Sequence, residues 1–234
     1  MTVESQIERT RILREYERRQ REIPDDFYSL DRPANLFNHQ GQQRAVLAAL
    51  AKSGMLPLRD RRILDIGCGP GRWLSHFETL EAQRENLSAI ELDPHRAAVA
   101  QKRFPGADIR LGDASQLPWG DESFDIVSQS TVFTSILDPA MRSAVAAEML
   151  RVLKPRGIIV WYDFLFNNPR NANVRGVGRR EIRRLFPGCS VRLRRITIAP
   201  PLARRTVPIS WALARALEQL RLLNTHYLGV MSKT

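Results

Sequence analysis

Asp65-Ile66-Gly67-Cys68-Gly69-Pro70-Gly71 sets three glycines at alternate positions, directly after the apolar run Arg62–Ile66 and before a helical stretch near Arg72–Leu80. A strand, a glycine-lined bend and a helix N-terminus in that order let backbone approach a ligand closely and favour an anionic group at the helix end. The spacing is not the dinucleotide pattern G-x-G-x-x-G: the third glycine comes one residue early, and Arg72 holds the sixth place. Two acids follow. Glu91 ends the apolar run Leu87–Glu91. Asp113, in Gly112-Asp113-Ala114, follows the run Asp108–Leu111 and can cap a helix.

These segments, read together, resemble the class I S-adenosylmethionine-dependent methyltransferases. D-I-G-C-G-P-G is similar to that family's first motif, Glu91 stands where its ribose acid stands, and Gly112-Asp113-Ala114 resembles its G-D-A segment. Leu117-Pro118, Phe124-Asp125-Ile126-Val127 and Leu150-Arg151-Val152-Leu153-Lys154-Pro155-Arg156-Gly157 follow in the family's order. The resemblance runs over about Arg62–Phe164 and is nearest to the small-molecule branch that includes quinone C-methyltransferases. It implies S-adenosylmethionine as cofactor and S-adenosylhomocysteine as product. Asp65, Gly67, Cys68, Gly69, Gly71, Glu91, Leu92, Asp113, Ala114 and Gln129 would form the cofactor site.

The implied reaction is in-line displacement, in which the cofactor carries the reactivity and the protein aligns the partners and excludes water. No nucleophilic side chain is required, and a base is needed only if the acceptor must lose a proton. Asp163 and His39 are the base candidates. Many relatives carry a histidine pair where this chain has Thr134 and Ser135, so no base is expected there. Acceptor contacts are expected from Tyr28, Asn38, Thr134, Asn168 and Arg170, at the carboxyl edge of the sheet.

The elements that must hold these residues alternate. Strands at Arg62–Ile66, Leu87–Glu91, Asp108–Leu111, Phe124–Gln129 and Gly157–Phe164 are separated by helical stretches, two of them opened by Asp93-Pro94 and Asp138-Pro139, and by a polar turn between the third and fourth. Such alternation predicts a parallel sheet with helices on both faces. With the family resemblance, the expected fold is α/β and Rossmann-like: seven strands, mostly parallel, with an antiparallel C-terminal strand at about His226–Met231. Before this core lie a polar helix at about residues 2–22, a loop at Asp25–Pro33 and a helix from about Asn35 to Ser53. We divide the chain into a helical arm or cap, residues 1–34, and a methyltransferase domain, residues 35–234. Within the latter, about 60–164 form the cofactor half and about 165–234 the acceptor-side half. In that half a helix is expected over Arg179–Phe186, a strand over Ser190–Ile198, and a helix over Ser210–Leu223. The last helix could cover the sheet edge, pair two subunits or touch a membrane surface.

Composition excludes several classes. No stretch is apolar enough to span a membrane, and the charged first 22 residues do not read as a signal peptide. Two cysteines cannot build a disulfide framework, so a cytoplasmic setting is expected. His/Cys/Asp/Glu spacing shows no metal site, and no metal is expected. The net charge of +11 raises the question of nucleic acid, but lysine occurs only at positions 52, 102, 154 and 233 and the arginines are scattered. Ser128-Gln129-Ser130-Thr131 stands where a base-amino methyltransferase carries Asn/Asp-Pro-Pro-Tyr/Phe, and neither cysteine sits as a pyrimidine nucleophile would. A small-molecule acceptor is therefore the leading partner. An RNA or protein methyltransferase docking through arginines, and a non-catalytic cofactor-binding relative, are the alternatives.

Overall fold

Apolar runs bounded by glycine and proline become seven strands: β1 (Ile63–Ile66), β2 (Leu87–Glu91), β3 (Asp108–Leu111), β4 (Phe124–Ser130), β5 (Leu153–Phe164), β6 (Cys189–Ile198) and β7 (Asn224–Lys233). In the computed structural model, which describes residues 3–169 and 171–234, they form one sheet in the order β3-β2-β1-β4-β5-β7-β6. Arg170, expected at the acceptor side, lies outside the described residues. β1 pairs in parallel with β2 and β4, β2 with β3, and β4 with β5; only β7 reverses, running antiparallel to both β5 and β6. β1 and β2 are buried along their whole length, as a strand covered on both faces must be.

The helices are α1 (Val3–Glu22), α2 (Pro33–Lys52), α3 (Arg72–Thr79), α4 (Pro94–Arg103), α5 (Pro139–Val152), α6 (Arg179–Leu185), α7 (Pro200–Thr206) and α8 (Trp211–Gln219). One face of the sheet packs on Val46 and Leu50 of α2, Trp73 and Phe77 of α3, and Ala100 of α4. The other packs on Ile12 of α1, Val145 and Met149 of α5, and Ile182 of α6. The N-termini of α4 and α5 are built as their sequences predict. Asp93 accepts from the Arg96 N–H at 2.9 Å, Asp138 accepts from the Ala140 and Met141 N–H groups, and a proline opens each helix.

Several boundaries move. β5 starts at Leu153, not Gly157, because Lys154-Pro155-Arg156 continues the strand: Lys154 Nζ is held by Asp125 at 2.8 Å, and the β4 pairing slips between Phe124 and Ile126. Pro200-Pro201 opens α7, a helix the sequence reading does not include. The last helix stops at Gln219, short of the expected Leu223, and Arg221 follows in the left-handed region (φ 57°). The N-terminal arm packs on the body: Ile12 is in the main core, and the buried Glu8 carboxylate accepts the Leu137 and Asp138 N–H groups at the start of α5. The order of strands reverses between β1 and its neighbours β2 and β4, and α/β sheets open a ligand crevice at such a point.

Candidate functional site

The bend from Gly67 to Gly71 leaves β1 at this crevice. Gly67 (φ 63°) and Gly69 (φ 55°) lie in the left-handed region, and neither position has room for a side chain. A methyl at Gly67 would sit 2.6 Å from Val132 Cγ2, and one at Gly69 would overlap the Arg96 guanidinium. The loop is tied to its neighbours by side chains. Glu91, 3% exposed at the end of β2, accepts the Gly69 N–H through Oε2 at 2.6 Å and the Leu92 and Asp93 N–H groups through Oε1 at 3.0 Å. Asp65, at the root of the loop, accepts from Ser128 Oγ of β4 at 2.8 Å; burial pushes its carboxyl up to about 7. Burial also pushes the Cys68 thiol up, and Sγ lies 3.4 Å from the Gly69 carbonyl it can donate to.

Asp113 stands across the crevice after β3. Its Oδ1 accepts the Ser115 N–H at 2.8 Å, which makes the turn; its Oδ2 is buried and accepts no hydrogen bond among the described residues. Beside them, Leu92 and Ala114 are half-buried apolar neighbours. At the end of β4, buried Gln129 accepts the Val132 N–H at 3.1 Å through Oε1, while its Nε2 donates to nothing among the described residues. Near the glycine-lined bend, Gln129 Nε2 thus donates to nothing among the described residues, and Asp113 Oδ2 has the Arg9 guanidinium 3.5 Å away but accepts no hydrogen bond. That donor set fits an adenosyl group: a carboxylate for ribose hydroxyls, a second carboxylate for an exocyclic amine, and glycine backbone for an amino-acid tail.

Two contributors were not legible in the sequence. Helix α1 crosses the carboxyl edge of the sheet: Arg9 Nε lies 3.5 Å from Asp113 Oδ2, Arg11 donates to the Ser135 and Asn173 carbonyls, and Glu15 accepts from Asn173 Nδ2 at 2.9 Å. Arg96, on α4, faces Glu91 electrostatically, fills the space beside Gly69 and lies 4.5 Å over the Tyr16 ring of α1. Nothing in the spacing of α1, a polar helix, marks it as the roof of this crevice.

The expected acceptor and base residues fall in different places. Asp163 is fully buried. Its carboxylate accepts from the Thr134 hydroxyl and N–H and from the Phe164 N–H, and burial pushes it up to about 7. Its oxygens are therefore committed to holding the segment after β4, and Thr134, 3% exposed, spends its hydroxyl on them. The same segment is clamped by buried Arg142, which donates to the Ile136 and Arg175 carbonyls and to Glu181. His39 and Asn38 sit half-buried on α2, and His39 Nδ1 and Asn38 Oδ1 have no hydrogen-bond partner among the described residues. Burial, followed by the nearby Arg72, lowers the His39 imidazole. Tyr28 is 55% exposed, and its carbonyl is 3.5 Å from Arg72 Nη2, at the start of the helix that follows the glycine bend. Asn168 lies on an exposed loop after β5.

Comparison with known proteins agrees with this geometry. Residues 64–161 match the family described as a methyltransferase domain. The chain is 34% identical over 113 residues to a phthiotriol/phenolphthiotriol dimycocerosates methyltransferase of Mycobacterium ulcerans, covering 47% of this chain and 40% of that protein. It is 33% identical over 104 residues to a demethylmenaquinone methyltransferase of Renibacterium salmoninarum, covering 44% and 41%. The matched part spans about two fifths of the length of these relatives. In fold, it is similar to a SAM-dependent methyltransferase, a possible histamine N-methyltransferase, of Thermotoga maritima: TM-score 0.59 and 20% identity over 96% of this chain and 97% of that one. The match to a methyltransferase domain over residues 64–161 thus falls on the part of the sheet, β1 to β5, that carries the glycine bend, Glu91 and Asp113.

Proposed function

We propose that this protein transfers a methyl group from S-adenosylmethionine to an oxygen, nitrogen or carbon of a small-molecule acceptor. The observation that carries the reading is the pair of acids across one crevice: Glu91 pinning the Gly69 N–H, and Asp113 with a buried oxygen that accepts no hydrogen bond. When bound, the cofactor supplies an electrophilic methyl on a sulfonium, open to in-line attack.

The chain's own residues bind and align. Glu91 accepts from the ribose hydroxyls while its backbone bonds keep the glycine bend in place. Asp113 Oδ2 accepts from the adenine amine. The backbone of Gly67, Gly69 and Gly71, with Asp65 beneath them, holds the methionine end, and Gln129 Nε2 donates at the floor. Helix α1 closes the edge and limits water. Asp163 acts as a positioning residue through Thr134. Should the acceptor need to lose a proton, His39 is the better-placed base, because its Nδ1 is uncommitted and its ring is held neutral.

A small acceptor is supported by the two named relatives, whose acceptors are small molecules. Tyr28, Asn38 and Asn168 are our proposed acceptor contacts. No helix among the described residues is long and apolar enough to cross a membrane, and none of their His, Cys, Asp and Glu residues group as a metal site. Both cysteines are free thiols, which supports a reducing, cytoplasmic setting. The test is incubation of the full chain with methyl-labelled cofactor and fractionated metabolite extracts, read by mass spectrometry. Label in a small molecule supports the reading. Label in RNA or protein alone, or cofactor binding without transfer to any fraction, contradicts it.

A further inference from the structure

Six of the thirteen exposed large apolar side chains among the described residues fall within fifteen consecutive positions: Ile209, Trp211, Leu213, Leu220, Leu222 and Leu223. Ile209 and Leu222 are each 78% exposed and Leu220 62%. On α8, Ala214 is buried with Ala203, Val207, Ile198 and Phe37, Leu217 packs partly against them, and the Trp211 ring meets Phe37 edge-on while staying 41% exposed. A scatter of single exposed leucines needs no explanation, but six large apolar side chains exposed along one short segment do.

The charge around this cluster has one sign. Arg204, Arg205, Arg215 and Arg221 are exposed, and Glu218 is the only acid between Ala199 and Leu223. Glu218 is half-buried, and burial raises its carboxyl from the ordinary range. Arg204, Arg205 and Arg221 make no ion pair among the described residues. The patch also reaches the proposed acceptor side. The Arg204 guanidinium lies 4.9 Å over the Phe27 ring, Phe27 packs edge-on against Tyr28, and the Tyr28 carbonyl meets Arg72 at the end of the glycine bend.

We propose that the segment from α7 through Leu223 is a docking surface for an anionic lipid bilayer, with the leucines and Trp211 seated among the acyl chains and the arginines among the headgroup phosphates. Apolar side chains ringed by arginine are the combination such an interface selects: burial supplies affinity, and the cations supply preference for negative lipid. The charge complementarity argues for lipid over a second copy of the chain, whose identical patch would oppose arginine to arginine across a two-fold axis. The docking does not depend on methyl transfer. If the proposed function also holds, the acceptor mouth faces a lipid phase.

The test uses the full chain with vesicles of phosphatidylcholine, alone and mixed with phosphatidylglycerol. Trp73, Trp119 and Trp161 are buried and Trp211 is 41% exposed, so a blue shift of tryptophan emission on adding vesicles reports on this segment. We expect a shift and co-sedimentation with the anionic vesicles, weakened by salt. Leu220→Ser/Leu222→Ser should weaken binding about tenfold or more with thermal stability unchanged, since both side chains are exposed. Arg204→Gln/Arg205→Gln should reduce only the preference for anionic lipid. Equal signals with and without vesicles overturn the proposal, as does vesicle binding indifferent to the leucine substitutions. It is also overturned by a dimer that Leu220→Ser/Leu222→Ser dissociates in the absence of lipid. Binding to single-stranded RNA without vesicle binding overturns it too. Methyltransferase activity is not the readout, so loss of the functional reading leaves this result intact.

Discussion

Asp113→Asn separates ligand recognition from fold with a change of one atom type. In the folded chain Asp113 Oδ1 accepts the Ser115 N–H, a bond an asparagine oxygen reproduces, while Oδ2 accepts no hydrogen bond. The nearby Arg9 lies 3.5 Å away with its side chain 31% exposed, so the lost ion pair costs about 0–1 kcal/mol of stability. Ligand binding should suffer more. A charge-assisted hydrogen bond to the adenine amine is worth about 1.5–3 kcal/mol. The new amide also turns a donor toward a donor. The affinity for S-adenosylhomocysteine should therefore fall by roughly ten- to 150-fold, measured by titration calorimetry, with the melting temperature within a few degrees of the parent. Glu91→Gln is a poorer probe, because Glu91 also accepts three backbone N–H groups and its loss perturbs the loop itself. An unchanged ligand affinity in folded Asp113→Asn would refute the placement of the adenine.

Other perturbations follow from the same contacts. Gly67→Ala should lower unfolding free energy by about 1–3 kcal/mol and abolish detectable cofactor binding, since it combines φ 63° with a methyl 2.6 Å from Val132; normal stability in urea would show that the bend relaxes. Ile12→Ala should cost about 2–4 kcal/mol, read by urea unfolding, because Ile12 is 5% exposed in the main core; a loss under 1 kcal/mol would mean α1 is loosely attached. Asp163 has a folded-state pKa raised to about 7 by burial, against about 4 unfolded. Its contribution is thus present in full below about pH 4 and is lost as pH rises through about 7. Asp163→Asn removes that dependence, so the stability of the parent relative to this variant should decline between about pH 4 and pH 7; a rising difference would reverse the assignment.

β1 and β2 were legible because each is an apolar run buried on both faces, and the helices after β2 and β4 because a capping aspartate opens them, at Asp93 and Asp138. The glycine bend, Glu91 and Asp113 were singled out from type and spacing, and the structure sets them at the carboxyl ends of β1, β2 and β3, with Glu91 bonded to the Gly69 and Gly112 N–H groups. What escaped the sequence depends on contacts far along the chain. Arg9 meets Asp113, and Tyr16 meets Arg96, only once α1 has folded back over residues far along the chain, and no local pattern encodes that. Asp163 looked like a base because it ends a strand at the acceptor side. Its burial and its bonds to Thr134 and Phe164 are tertiary facts. The start of β5 was misread because Lys-Pro-x-Gly resembles a turn, whereas the Lys154–Asp125 pair keeps it on the sheet.

Hydrogen exchange of the full chain, with and without saturating S-adenosylhomocysteine, tests the central claim at residue level. The account predicts slowed exchange at Gly67–Gly71, Glu91–Asp93 and Asp113–Ser115, the three segments that follow β1, β2 and β3. Unchanged exchange in all three, or protection confined to another part of the chain, would contradict it.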